Sequence, residues 1–201
     1  MISLTKNCQD IAHKDQPIRE DNIHISAPHI YGSALEALDL KKDAGLSFLN
    51  AGSGTCYLTC IAASILGDRS VHYCVEIHED VLRHSKEAIT AWKKGLSPGV
   101  TIPNIELIHG NALELNTNKG ECALGFDRIY IGAAIQKHSL PMFKKMLKPG
   151  GILVGPGESS YVVVVDILSL SLSLSLLVFL LMANNYSHFL CLVLFVFYHS
   201  W

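Results

Sequence analysis

The stretch LSFLNAGSGTCY, residues 46–57, decides how the rest of the chain is read. A short apolar run, Leu46 to Ala51, ends in Gly52-Ser53-Gly54, and Leu58, Ile61, Ala62 and Ile65 then recur at helical spacing. That pattern is a strand turning into a helix. Glycine has no Cβ and tolerates positive φ, so Gly52 and Gly54 let the chain turn sharply and let a ligand lie against bare peptide. A Gly-x-Gly pair by itself is shared with ordinary tight turns, so the surrounding chain has to give it meaning.

Working outward, Gly67 stops the first helix, which runs from Thr55 to Leu66. Val71 to Ile77 reads as a second strand and Glu79 to Lys93 as a second helix, begun by acids and closed by Lys93-Lys94-Gly95. A Pro/Gly loop leads to a third strand at Ile105 to Ile108, followed by Gly110-Asn111, and residues 112–125 read as loop with a helical turn. Phe126 to Ile131 is a fourth strand, Leu140 to Leu147 a short helix, and Ile152 to Val154 a fifth strand, with Tyr161 to Asp166 able to begin another. Upstream, Pro28 restricts Ala27 to extended geometry, and a helix runs from about Pro28 to near Leu40. Strands alternating with helices over short connections predict an α/β fold, a mostly parallel sheet covered on both faces. Ligands in such sheets sit at the C-terminal strand ends, at the switch point beside the first strand, where the Gly52 turn lies.

With 201 residues the chain suits one such domain. Residues 1–22 read as an irregular lead-in, 23–160 as the domain and 161–201 as an apolar low-complexity tail. The 16 Lys and Arg face 18 Asp and Glu without any basic run, which argues against nucleic acid as a partner. Six cysteines are scattered without a CxxC pair or a compact Cys/His cluster, so neither a metal site nor a disulfide framework is expected and a reducing, cytoplasmic setting fits. From Ile167 to Trp201 there is no charged side chain, and the 17 residues Ile167 to Ala183 are the short end of a membrane span. The expectation is an ending foreign to the domain. A tail anchor is the alternative, and the only reading in which the chain meets a membrane.

The ligand can be narrowed from the residues. Glu76 closes the second strand 22 positions beyond Gly54, close to the spacing at which an acid receives a ribose diol. A dinucleotide turn needs glycine where this chain has Tyr57, which disfavours NAD. A serine-hydrolase elbow needs glycines where Ala51 and Thr55 flank Ser53. A single adenosyl ligand on the turn, with an acid at the second strand, is the pattern of S-adenosyl-L-methionine-dependent methyltransferases, a Rossmann-like class I fold.

Four blocks then make a resemblance specific: ISAPH at 25–29, LNAGSGT at 49–55, FDRIYIGAA at 126–134 and LKPGGILVGP at 147–156. In order and spacing they resemble protein-L-isoaspartate O-methyltransferases. Asn50 and Asn111, where the repair enzymes usually carry aspartate, together with NIHISAPHIY, are similar to the branch called protein-L-isoaspartate O-methyltransferase domain-containing proteins. The resemblance implies methyl transfer from S-adenosyl-L-methionine to the carboxyl group of L-isoaspartyl residues in damaged proteins. The alternative is a catalytically weak cofactor-binding adaptor that recognises damaged or modified proteins, of a kind linked to ubiquitin ligases. It implies Ser26 as the active-site residue, Gly52, Ser53 and Gly54 at the methionine end of the cofactor, Glu76 at the ribose, and Gly110 with Asn111 at the adenine edge. The family continues after its fifth strand with further strands, and this sequence is expected to lack the last of them.

His24 and His29 flank the same turn and read as surface or packing residues. Cys56 and Cys60 read as small packing side chains rather than a redox pair. The family carries glycine at position 56. A positive φ there would cost Cys56 about 1–2 kcal/mol, or its side chain would block the methionine end.

Overall fold

A computed structural model describes residues 14–115, 125–133 and 136–156, and the backbone of 161–165. The chain divides into Met1–Asp166 and Ile167–Trp201. The second unit lies outside the described residues, and with it the expectations for the apolar tail. In chain order the elements are β1 (Ile18–Glu20), β2 (Ile23–Ile25), α1 (Pro28–Ala37), β3 (Ser47–Ala51), α2 (Tyr57–Leu66), β4 (Val71–Glu76), α3 (Glu79–Lys94), β5 (Asn104–His109), β6 (Phe126–Ile131), α4 (Leu140–Lys144), β7 (Leu147–Pro156) and β8 (Tyr161–Val165).

One sheet carries six strands in the order β5-β4-β3-β6-β7-β8. Strand β3 is parallel to β4 on one side and to β6 on the other, β5 and β7 extend the parallel set, and β8 closes it antiparallel to β7. All five residues of β3 are buried, so its apolar residues do not alternate with exposed ones and its two polar residues, Ser47 and Asn50, find partners inside the fold. Successive side chains still leave by opposite faces. Phe48 packs with Leu38, Leu58 and Leu66 of the α1 and α2 side, while Leu49 packs with Ile129, Phe143 and Leu153 on the other. The chain runs from β3 outward through β4 and β5, then returns to β6 across β3. The switch point is therefore between β3 and β6, with the Gly52 turn at its mouth.

The structure departs from the sequence expectations in three places. Ile18–Glu20, inside the expected irregular lead-in, pairs with Ile23–Ile25 as an antiparallel hairpin, and Asp21 takes φ 51 in its turn. Asp tolerates that conformation, and Ile18 and Ile25 bury together, yet three-residue strands are too short to show a period. Strand β7 starts at Leu147, opposite Phe126, so Leu147 leaves the expected helix, which ends at Lys144, and Lys148 to Gly151 enter the sheet ahead of the expected strand. Strand β8 joins Tyr161–Val165 to the sheet, so these residues group with the domain and not with the tail. Among the described residues no helix is long and apolar enough to cross a membrane.

Candidate cofactor site

Three residues of the turn stand in the left-handed region: Gly52 at φ 72, Gly54 at φ 52 and Cys56 at φ 60. At Gly52 the close approach is internal, because a Cβ there would sit 2.5 Å from Ala133 Cβ. Gly132 N–H, just after β6, donates to Ala51 O at 2.8 Å, so the loops after β3 and β6 are stitched across the switch point. At Gly54 a Cβ would meet only His24 O, at 3.5 Å.

The N–H donors of the turn are spent inside the fold. Gly52 and Ser53 donate to Val75 O at 2.8 and 3.0 Å, and Gly54 donates to Glu76 Oε2 at 2.9 Å. An anion cradle needs such donors free. What remains are Asn50 Oδ1, an acceptor, and Ser53 Oγ, a hydroxyl able to accept or donate; both are buried without a hydrogen-bond partner among the described residues, an arrangement suited to a cationic or hydroxylated ligand. Asn50 is held by its other end, donating from Nδ2 to Thr59 Oγ1 at 2.9 Å, and Cys74 Sγ donates to the same oxygen at 3.3 Å.

Glu76 is 6% exposed and accepts three backbone bonds, from Gly54, Ile77 and His78 N–H at 2.9, 2.9 and 3.1 Å. A carboxylate has about four lone-pair sites, so one is left for a ligand hydroxyl where two were expected for a diol. Its other task, which spacing alone did not show, is to tie the turn to the start of α3. Beyond it, Ile77 stands 60% exposed on the lip of the site, beside His109, whose Nε2 lies 3.0 Å from Ile77 O. Gly110 donates to Glu76 O at 2.9 Å and has open space where a Cβ would stand. Asn111 follows on the same edge, but its side chain caps the next 3₁₀ turn, accepting from Leu113 N–H at 3.1 Å.

Ser26 is brought to this turn from the other side. The N-cap of α1 is Ala27, which forms no side-chain cap bond, so Ser26 is not serving as a helix cap. Its N–H donates to Tyr31 Oη at 3.0 Å, and the Tyr31 ring meets the Tyr57 ring with centroids 5.4 Å apart. The segment carrying Ser26 thus rests on the helix that the glycine turn begins. His24 is exposed on the hairpin, and the partial desolvation of its ring, with Arg19 nearby, lowers its pKa. His29 pairs with Asp15 at the surface through Nδ1 at 2.8 Å.

Cys56 realises the strain that its position implied and avoids the obstruction. Its side chain is fully buried with Cys74 and Ile89, under the sheet side of the turn. Burial pushes the Cys74 thiol well up and that of Cys60 to about 12, so both are inert thiols at neutral pH. Ser85 escaped sequence reasoning: its Oγ lies 2.6 Å from Gly54 O and 2.8 Å from Val81 O, sharing its proton between them and clasping the turn from α3. The available signal was a serine on the buried stripe Val81, Ser85, Ile89.

The donor and acceptor set fits an adenosyl ligand with a cationic tail: buried oxygens at the turn, one carboxylate lone pair at the strand end, and an exposed aliphatic surface on the lip. The comparisons agree. The family model described as Protein-L-isoaspartate(D-aspartate) O-methyltransferase matches residues 4–168. Protein-L-isoaspartate O-methyltransferase 1 of Arabidopsis thaliana is 29% identical over 150 residues, covering 72% of this chain and 60% of the relative. The Protein-L-isoaspartate O-methyltransferase of Triticum aestivum is 29% identical over 139 residues, covering 67% and 56%. The chain thus spans less than two thirds of these curated relatives. A Plasmodium falciparum structure assigned as a protein-L-isoaspartate O-methyltransferase, in complex with S-adenosyl-L-homocysteine, superimposes with TM-score 0.60 at 24% identity, covering 77% of this chain and 72% of that one. Precorrin-6y C5,15-methyltransferase of Geobacter metallireducens gives 0.54 at 17%, covering 71% and 68%.

Sheet order and the glycine turn at its switch point define the Rossmann-like class I methyltransferase fold. Within that class, the match over residues 4–168 places the chain in the protein-L-isoaspartate(D-aspartate) O-methyltransferase family.

Proposed function

We propose that this chain binds S-adenosyl-L-methionine over Gly52, Ser53, Gly54 and Glu76, with Gly110 and Asn111 at the adenine edge, and methylates the carboxyl group of L-isoaspartyl residues in protein or peptide substrates. The observation that carries the reading is the juxtaposition of two sequence-distant blocks: the Ser26 segment lies over the Gly54 turn through His24 O and the Tyr31–Tyr57 pair.

When bound, the cofactor supplies an electrophilic sulfonium methyl group. The acceptor needs no general base, because an isoaspartyl carboxyl of pKa about 4 is ionised at neutral pH. The protein's work is placement and exclusion of water. Ser26 Oγ, which has no hydrogen-bond partner among the described residues, donates to the acceptor carboxylate and fixes its angle. Asn50 Oδ1 and Ser53 Oγ receive the cationic methionine end, Glu76 a ribose hydroxyl, and the exposed Ile77 side chain offers an apolar face to the purine. The methyltransferase domain proposed for this activity is residues 23–160, to which β1 and β8 add their strands. Free Cys56, Cys60 and Cys74 suit a reducing cytoplasmic compartment.

A radiolabelled methyl-transfer assay on an isoaspartyl peptide tests the reading. Transfer is expected with the isoaspartyl peptide and not with its aspartyl isomer, and Ser26→Ala should lower kcat by about 10- to 100-fold while leaving cofactor affinity within about twofold. Equal labelling of both peptides would sink it.

A further inference from the structure

We infer that Tyr31 is a positioning residue for the acceptor side of the site, fixing Ser26 through its phenol and registering it against the cofactor turn through its ring; this rests on Ser26 being the acceptor-side residue proposed above. The cap of α1 leaves a gap that Tyr31 fills. Ala27 has φ −60 and ψ 146 and no side chain able to cap, and its carbonyl already accepts from Ile30 N–H at 3.0 Å and Tyr31 N–H at 3.4 Å. The N–H of Ser26, half-buried just outside the helix, would have no partner from the helix itself. Tyr31 Oη reaches back across the first turn and accepts it at 3.0 Å.

The same ring sets where that turn sits. It packs against the buried Ile18 and Ile25 of the hairpin on one side and tilts at 55° against Tyr57 on the other. Tyr57 is the first residue of α2, three positions beyond Gly54. His24 O, two residues before Ser26, is 3.5 Å from the position of a Gly54 Cβ. One side chain therefore links the backbone of the acceptor segment to the helix on which the cofactor turn opens. The phenol and the ring have separable tasks: the first orients Ser26 and the second sets its distance from the turn.

Amide hydrogen exchange on the full chain, resolved at Ser26 by mass spectrometry, tests this without requiring turnover. Tyr31→Phe keeps the ring and removes the acceptor. The Ser26 amide should then exchange about tenfold faster, while Leu49 in β3 is unchanged. Tyr57→Leu keeps the acceptor and removes the ring partner, and should speed Ser26 exchange by about threefold. An unchanged Ser26 rate in Tyr31→Phe overturns the inference. In methyl transfer, Tyr31→Phe should lower kcat for the isoaspartyl peptide by about tenfold with KM for S-adenosyl-L-methionine within about twofold. A raised cofactor KM at unchanged kcat would show a merely structural residue and also overturns it. If the wild-type chain transfers no methyl group, the proposed activity fails, and the exchange rate at Ser26 alone decides the role of Tyr31.

Discussion

The Asp127 cluster and the glycine turn, at the two ends of the parallel sheet, use their polar groups differently. At the N-terminal strand ends, Asp127 Oδ2 accepts from Ser47 N–H, Ser47 Oγ and Lys148 Nζ at 2.8, 2.7 and 2.7 Å, tying β3, β6 and β7 together. Burial pushes the Asp127 carboxyl up, but Lys148 and Ser47 outweigh it and hold its pKa below the ordinary value. Beside it, Arg128 Nε donates to Leu38 O at 2.6 Å and closes the end of α1. At the C-terminal ends, three left-handed residues crowd one turn, one of them a cysteine, and two buried oxygens lack partners among the described residues. The Asp127 cluster spends its polar groups on stability, with His72 Nδ1 the exception at that end, whereas the glycine turn gathers three left-handed residues and two unpartnered oxygens in one place, where a ligand would use them.

Substitutions at the two ends should separate these roles. The largest effect is expected from Gly52→Val: with φ 72 and Ala133 already 2.5 Å from a Cβ, the turn must shift, costing about 3–5 kcal/mol in denaturant unfolding and removing cofactor binding. Next comes pH. His72, near the start of β4, is fully buried, and burial holds its imidazole down to about 4. Ser70 Oγ donates to Gly67 O at 2.6 Å and so accepts from His72 Nε2 at 2.8 Å, leaving Nδ1 bare and buried. Protonation is therefore resisted in the folded state. The His72 contribution is intact above about pH 6.5, falls as pH drops from 6.5 to 4 by up to about 3 kcal/mol, and is flat below. His72→Phe should remove that part of the pH dependence of unfolding.

Asp127→Ala should cost about 2–3 kcal/mol by orphaning Ser47 N–H and Lys148, yet leave cofactor affinity within about twofold. A large loss of binding there would break the division between the ends. The smallest effect isolates backbone strain: Cys56→Gly should be more stable than Cys56→Ala by about 1–2 kcal/mol, although glycine is the smaller residue, because only glycine accepts φ 60 freely. The reverse order would mean that the conformation at position 56 is not strained.

What the sequence disclosed follows the same division. The glycine turn and Glu76 were legible because their chemistry depends on residue types at fixed spacing along the chain. Cys56 was legible as a misfit, but whether it strained the backbone or blocked the ligand depended on where its side chain pointed. Ser85, Thr59 and Tyr31 were not legible, since each is a common residue whose role arises only when folding brings it to a partner far along the chain or across a helical turn. The β1–β2 hairpin was hidden by its brevity, and the start of β7 by a Pro-Gly-Gly sequence that reads as a break.

The central claim is that the C-terminal strand ends receive S-adenosyl-L-methionine on the Gly52–Gly54 turn. Calorimetric titration of the full chain with S-adenosyl-L-homocysteine tests it most directly, run beside Gly54→Val and Asp127→Ala. Saturable one-to-one binding by the wild-type chain and by Asp127→Ala, with none by Gly54→Val, is the predicted result. No heat from the wild-type chain, or binding by Gly54→Val as tight as wild type, would contradict it.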